Sequence, residues 1–359
     1  AFVAFFAAFT SLISWGFSLI FSGLLVRELA QRVRGLNYRA AGAAAYLGLG
    51  SIWALGLSSS AALMMATPGS IPPALLKISG VIPLGQTIFT WQSLATAAIL
   101  LFLSVLVAWL SAPAASARTA EAYGVPAGLP ETRLEPRRTP GEWPEYSPLL
   151  TVLVALLGLA YLGQVLAAKG PLAALDLNTY NLLFLMVGML LHWRPRAFVR
   201  AVAEAVPATA GVLIQFPFYA GIFGMITLSP IAGDLARFFV HVSSRGSYPV
   251  LVSLYSAILG LFVPSGGSKW VIEAPYVLQA ARDLHVHLGW VVQIYNAAEA
   301  LPNLVNPFWM LPLLGLLNVR ARELVGYSVL QLLVHLPVVL FLMWLFARTL
   351  PYVPPLPAG

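Results

Sequence analysis

Pro264-Ser265-Gly266-Gly267-Ser268-Lys269-Trp270 puts two hydroxyls, two glycines and an ammonium into one turn whose flanks are strongly apolar. Glycines allow successive N–H groups to point at one anion, and the start of a following helix adds a favourable dipole end. Ser265, Gly266, Gly267, Ser268 and Lys269 are therefore candidates for holding a small carboxylate. Lys269 has two plainer alternatives, snorkelling to an interface or pairing along a helix with Glu273, four residues on. Ser58-Ser59-Ser60 interrupts a second apolar run, and Asn303 and Asn306, beside Pro302 and Pro307, interrupt a third. Ser14 and Gly16 mark another polar break near the start of the chain. Carbonyls freed at such breaks coordinate Na⁺, while freed N–H groups hold a carboxylate. Serines in membrane helices also simply bond their own backbone, so the pairing of the breaks is what makes these positions candidates.

Glu299 precedes Asn303 by one helical turn and lies deep in an apolar run, so Glu299 and Asn303 are candidates for ion coupling. The alternative for Glu299 is a structural acid bonded to helix ends. Asp176 lies near the end of its run and reads as interfacial. Gln215, in Gln-Phe-Pro-Phe-Tyr, reads as a buried amide in a kinked span. His285-Val286-His287 lacks a third ligand nearby and reads as a solvated loop rather than a metal site.

Lipid satisfies no backbone hydrogen bonds, so irregular turns at bilayer depth must be buried in protein or face a watery cavity. The apolar runs are long enough to supply that protein, since a span needs about 20 residues. Residues 1–39 and 248–283 each read as a re-entrant helical hairpin that enters and returns on one side. Each hairpin precedes a broken helix, 40–66 and 286–317, and then a helix, 84–110 and 324–350. The expected organisation is a first repeat over 1–110, a polar cytoplasmic linker over 111–147, and a second repeat over 148–359 that opens with three scaffold helices across 148–228. An odd number of crossings separates the hairpins, which places them on opposite faces. The predicted fold class is thus an all-α polytopic membrane protein, an inverted repeat with two opposed re-entrant hairpins and two broken transmembrane helices.

Composition agrees. The 359 residues are 59% hydrophobic and 9% charged, against about 25% charged in soluble domains. The net charge of +7 does not signal nucleic acid, because the bases sit in short clusters between apolar runs. With 27–39 inside and the runs alternating, 111–147, 192–200 and 318–323 also read as cytoplasmic loops, so thirteen of the 20 basic residues fall inside, six outside, and Lys269 within the membrane layer. There is no cysteine, hence no disulfide or thiolate chemistry. No H-E-x-x-H, G-x-S-x-G or G-x-x-x-x-G-K-[ST] string occurs, so the chain reads as neither enzyme nor ATP-driven pump. No cofactor or resident metal is expected; the coupling ion is H⁺ or Na⁺.

Ser14-Trp15-Gly16-Phe17, Ala66-Thr67-Pro68-Gly69, the run Gln215 to Ile222, Val263 to Trp270, and Pro307-Phe308-Trp309 with Leu311-Pro312 resemble the short-chain fatty acid transporter family, the bacterial acetoacetate and butyrate carriers of the ion transporter superfamily. The resemblance covers essentially the whole chain. It implies secondary uptake of acetate, butyrate or acetoacetate across the bacterial inner membrane by a multi-pass homodimer. A mobile unit would move elevator-fashion against a scaffold. Family members carry further helices before the first hairpin, and this chain starts in that hairpin without an initiator Met, so upstream sequence is expected. Two readings from other classes stay open: a carrier of another organic anion such as a dicarboxylate, or an intramembrane acyl- or lipid-processing enzyme using Glu299 and a histidine. A carboxylate-binding sensor is a further alternative. The carrier reading expects Lys269→Ala or Ser268→Ala to cut butyrate uptake while sparing the fold.

Overall fold

A computed structural model describes residues 1–112, 119–124, 134–206 and 210–355; within 210–219 it describes the side chains of 213, 214, 217 and 218 only. The side chain of Gln215, and linker residues 113–118 and 125–133, lie outside these. Two compact units emerge, one of Ala1–Leu129 with Met225–Gly359, the other of Pro130–Gly224. Among the described residues every regular element is helical.

The larger unit begins with α1 (Phe2–Ser11) and α2 (Trp15–Arg32), which pack against each other as a hairpin. Leu12 to Ser14 reverse the chain, and Ser14 caps α2 by accepting the Phe17 N–H at 3.4 Å. The next helix is α3 (Tyr38–Leu47), capped by Asn37. It continues into a π-turn, Gly48–Ile52, and a 3₁₀ turn, Trp53–Leu55, then stops. α4 (Ser60–Ala66) resumes the path under a Ser59 cap. A short α5 (Pro73–Ser79) and the long α6 (Trp91–Leu110) complete this stretch. The run of alanines at 41, 43, 44 and 45 lets α1, α2 and the 313–324 region close around α3, and all four are buried. Such close approach substitutes for bulk hydrophobicity, which does not drive helix association in lipid.

The smaller unit holds α7 (Leu149–Lys169), α8 (Leu177–His192), α9 (Pro195–Ala205) and most of α10 (Ala210–Thr227). Asp176 caps α8, accepting from the N–H groups of Asn178 and Thr179 at 2.9 Å each. The basic stretch 192–200, expected as a loop, instead starts α9, which turns 119° from α8. Arg196 meets Glu145 at 3.2 Å and Arg200 meets Glu204 at 2.8 Å, so the bases stabilise a polar-faced helix. Pro217 lies inside α10, where the kinked span was expected.

The larger unit resumes with α11 (Ile231–Val242), α12 (Tyr248–Phe262) and α13 (Gly266–Asp283). α12 and α13 form the second hairpin, with α14 (Leu288–Asn303) packed against both arms. After Asn303 the chain breaks, re-forms at Phe308 and runs into α15 (Leu311–Leu317), bent 72° from α14. α16 (Ala321–Ala347) ends the architecture. His287 is buried and caps α14 through Nδ1, which accepts the Trp290 N–H at 3.0 Å. The solvated-loop expectation therefore holds for exposed His285 and fails for His287.

Part of the linker is anchored. The Tyr123 carbonyl accepts from Asn318 Nδ2 at 2.7 Å, and its ring lies 5.8 Å from that of Tyr38. Among the described residues four helical stretches are long and apolar enough to cross a bilayer, or up to seven if each bent pair counts as one span. The order hairpin, broken helix, helix occurs twice, in α1–α6 and in α12–α16.

Candidate substrate site at four backbone breaks

The hairpin tips and the helix breaks lie far apart in sequence, yet they meet. The Ser58 N–H donates to the Leu12 carbonyl at 3.2 Å, and the Trp15 N–H donates to Ser58 Oγ at 2.7 Å. These bonds fasten the first tip to the first break. At Gly56 a Cβ would strike the Leu12 carbonyl, so the seat has no room for a side chain. The second tip is fastened to the second break in the same manner. Trp309 Nε1 donates to the Pro264 carbonyl at 2.8 Å, and Asn306 Nδ2 donates to the Leu261 carbonyl at 3.3 Å.

Cross-links complete the set. The Trp15 and Trp309 rings meet edge-on at 5.3 Å, joining the first tip to the second break. Gly266 lies against the Trp53 ring, and Gly267 faces Ser60, so the second tip also touches the first break. Asn303 Nδ2 donates to the Leu49 carbonyl at 3.5 Å, while its own carbonyl accepts from Tyr46 Oη at 3.0 Å. Backbone that finds no partner in its own helix is thereby paired at long range, as bilayer depth requires.

The predicted site residues fall into three groups. Ser14, Gly16, Ser58, Ser60, Ser265, Gly266, Gly267 and Ser268 lie at the tips and the first break. Ser59 lies there as well, fully buried; its hydroxyl donates to Asn296 Oδ1 at 2.9 Å and its oxygen caps α4. Asn303 and Asn306 stitch the second break to its neighbours. Lys269 turns away from the tip. It is fully buried, its Nζ lies 2.5 Å from Glu299 Oε2, and it donates to the Ser256 carbonyl at 2.7 Å. Glu299 is thus an ion-pair partner one turn behind the break.

Ser60 and Ser268 are half-buried, and their hydroxyls have no bonding partner among the described residues. The Trp53 indole Nε1 is likewise without a partner, although Trp53 is only 6% exposed. Sequence reasoning missed Trp53. A tryptophan beside Ile52 and Leu55 looks like packing, and only the contact with Gly266 marks it. Because Ser59 bonds a buried amide, Ser59→Ala is expected to lower stability by about 1–3 kcal/mol by orphaning Asn296 Oδ1. A thermal unfolding series in detergent would test this, and an unchanged midpoint would refute it.

Unclaimed hydroxyls at Ser60 and Ser268 and the unpartnered Trp53 indole N–H suit a small anion with a short apolar tail. Residues 1–346 match the family model described as short chain fatty acid transporter. This chain belongs to the short-chain fatty acid transporter family. It is 34% identical over 337 residues to a provisionally named short-chain fatty acid transporter of Escherichia coli (strain K12), covering 92% of this chain and 74% of that protein. A protein of the same provisional name from Haemophilus influenzae (strain ATCC 51907 / DSM 11121 / KW20 / Rd) is 33% identical over 347 residues, covering 94% and 76%. The crystal structure of the Alcanivorax borkumensis YdaH transporter, described as having an unusual topology, aligns with TM-score 0.59 at 15% identity over 98% of this chain and 80% of that one. That likeness bears on the fold alone. The chain is a multi-pass membrane transporter of the short-chain fatty acid family, and not an enzyme.

Proposed function

We propose that this family member is a secondary active carrier of short-chain monocarboxylates, of the acetate, butyrate and acetoacetate type, in the bacterial inner membrane. The observation that carries the reading is the convergence of both hairpin tips on both helix breaks, with the unpartnered Trp53 Nε1 beside the first break. The carboxylate lies at the tips, held by Ser60, Ser268 and the Trp53 indole N–H, with the alkyl tail against Trp15 and Trp309. Neutral donors suffice for one carboxylate. Lys269 is already committed to Glu299, which favours monocarboxylates over dicarboxylates.

The twice-repeated order of elements supports an inverted repeat with opposed hairpins. Such a core works by alternating access, here as an elevator within a homodimer, coupled to H⁺ or Na⁺ symport. The test is uptake of labelled acetate, butyrate and acetoacetate into proteoliposomes under separate Na⁺ and pH gradients. Accumulation under one gradient is expected, and none under either would overturn the reading. Trp53→Phe keeps the ring and removes the donor. A hydrogen bond to a charged group contributes about 1.5–3 kcal/mol, so butyrate affinity is expected to fall by roughly tenfold to a hundredfold. Unchanged half-saturation in that variant would remove Trp53 from the site.

A further inference from the structure

The charges behind the second hairpin do not balance. Lys269 and Glu273 are 0% exposed and Glu299 is 2% exposed, so one buried ammonium serves two buried carboxylates. Lys269 Nζ lies 2.5 Å from Glu299 Oε2, 3.8 Å from Glu273 Oε2 and 4.7 Å from the centre of the Tyr295 ring. Glu273 Oε1 accepts a short hydrogen bond from the Ser256 hydroxyl. Its Oε2 is buried and has no hydrogen-bond donor among the described residues. Gly260 of α12 presses on the same place, for a Cβ there would lie 3.2 Å from Glu299 Oε2 and 3.4 Å from Lys269 Nζ.

Among the described residues no other group nearby restores neutrality. The titratable residues facing Glu273 are Tyr248 and Tyr255 from α12, Tyr276 from α13, and Tyr295 and Glu299 from α14, none of them cationic. From α11, Phe239 packs on Tyr276, while Asp234 and Arg237 pair with each other on an exposed face and His241 is exposed. Lys77 of α5 is exposed too. An uncompensated charge in such a place is strongly unfavourable, so the cluster needs a neutralising ligand. A metal cation needs several converging oxygens. Glu299 Oε2 already has the ammonium at 2.5 Å, which leaves Glu273 Oε2, 3.8 Å from it and without a donor among the described residues, as the less compensated oxygen. A proton needs that one oxygen and nothing more.

We propose that Glu273 binds the proton that drives transport, with Lys269 and Glu299 as the fixed ion pair beside it. The proton adds to Oε2 as an O–H bond and leaves to water on the opposite side of the membrane. Ser256, Lys269 with Glu273, and Glu299 lie on α12, α13 and α14. The cluster therefore joins both arms of the second hairpin to the first half of the second broken helix. With Glu273 neutral the charges balance and the hairpin packs down. With it ionised, the surplus charge favours an opened hairpin that water reaches. This inference rests on the carrier reading above and assigns its coupling site.

Infrared difference spectra of the lipid-reconstituted protein across a pH titration read the site without any substrate. A protonated-carboxyl C=O band is expected in the native protein and lost in Glu273→Gln; no such band, or its persistence in the variant, would overturn the proposal. In proteoliposomes Glu273→Gln is expected to lose acid-gradient-driven butyrate accumulation and the dependence of butyrate exchange on external pH. Native-like accumulation by that variant would also overturn it. If Glu273→Gln does not fold, Glu273→Asp must shift the band, and an unshifted band counts against the proposal. Native protein that shows the band but moves no butyrate would sink the carrier reading while upholding protonation of Glu273.

Discussion

Lys269→Ala is expected to destabilise the protein by about 3–5 kcal/mol, the cost of removing one partner from a buried ion pair and leaving the other charge behind. The site makes the upper part of that range reasonable, because two carboxylates would remain with no cation between them. Thermal unfolding in detergent should therefore show a large drop in midpoint, with poor yield of dispersed protein. A second variant tests the cause. Lys269→Met combined with Glu273→Gln and Glu299→Gln removes every charge while keeping most of the volume, and is expected to recover much of the lost stability. Were Lys269→Ala as stable as the native protein, the cluster would not be holding the second hairpin in place. This outcome differs from the one the sequence suggests, in which Lys269 faces the substrate and its loss spares the fold. Ser268→Ala keeps that earlier form, since the Ser268 hydroxyl has no protein partner to lose.

Gly266→Val is expected to abolish uptake without preventing folding. A Cβ at Gly266 would overlap the Trp53 ring, and Trp53 is too buried to swing aside. Forcing atoms into a packed interior costs typically about 1–3 kcal/mol. Here the second tip can relieve the strain by lifting off the first break, at the expense of the closed site. Gly266→Ala should show the same defect more weakly. The measurement is butyrate uptake at matched protein amounts, alongside a thermal unfolding curve. Native uptake by Gly266→Val would show that the tip need not seat against Trp53.

Hairpin turns and helix breaks are legible in the sequence because their cause is local. A helix in lipid satisfies its own backbone, so Ser58-Ser59-Ser60 or Pro302 to Pro307 in an apolar run announces a place where it does not. Ser14, Ser59 and Ser265, singled out in the sequence as site candidates, cap the helices that follow these turns, a role only the structure shows. The π-turn at Gly48–Ile52 carried no such mark, since neither its glycines nor its apolar residues distinguish it from ordinary helix. α9 was missed because its arginines matched the pattern of a cytoplasmic loop; their carboxylate partners, Glu145 and Glu204, make a polar-faced helix of the same residues.

The sequence by itself determined the class of the molecule, the position of the polar breaks and the family to which the chain belongs. Those follow from composition and from interactions spanning a few residues. Tertiary structure alone decided what each segment faces. Glu273 is four residues from Lys269, but Glu299 is thirty away and Ser256 thirteen the other way, and no periodicity joins them. Trp53 meets Gly266 across more than two hundred residues. Whether a lysine touches a substrate or neutralises an acid depends on which helices pack beside it. That choice is made by the whole core at once, through close contacts that no local stretch encodes.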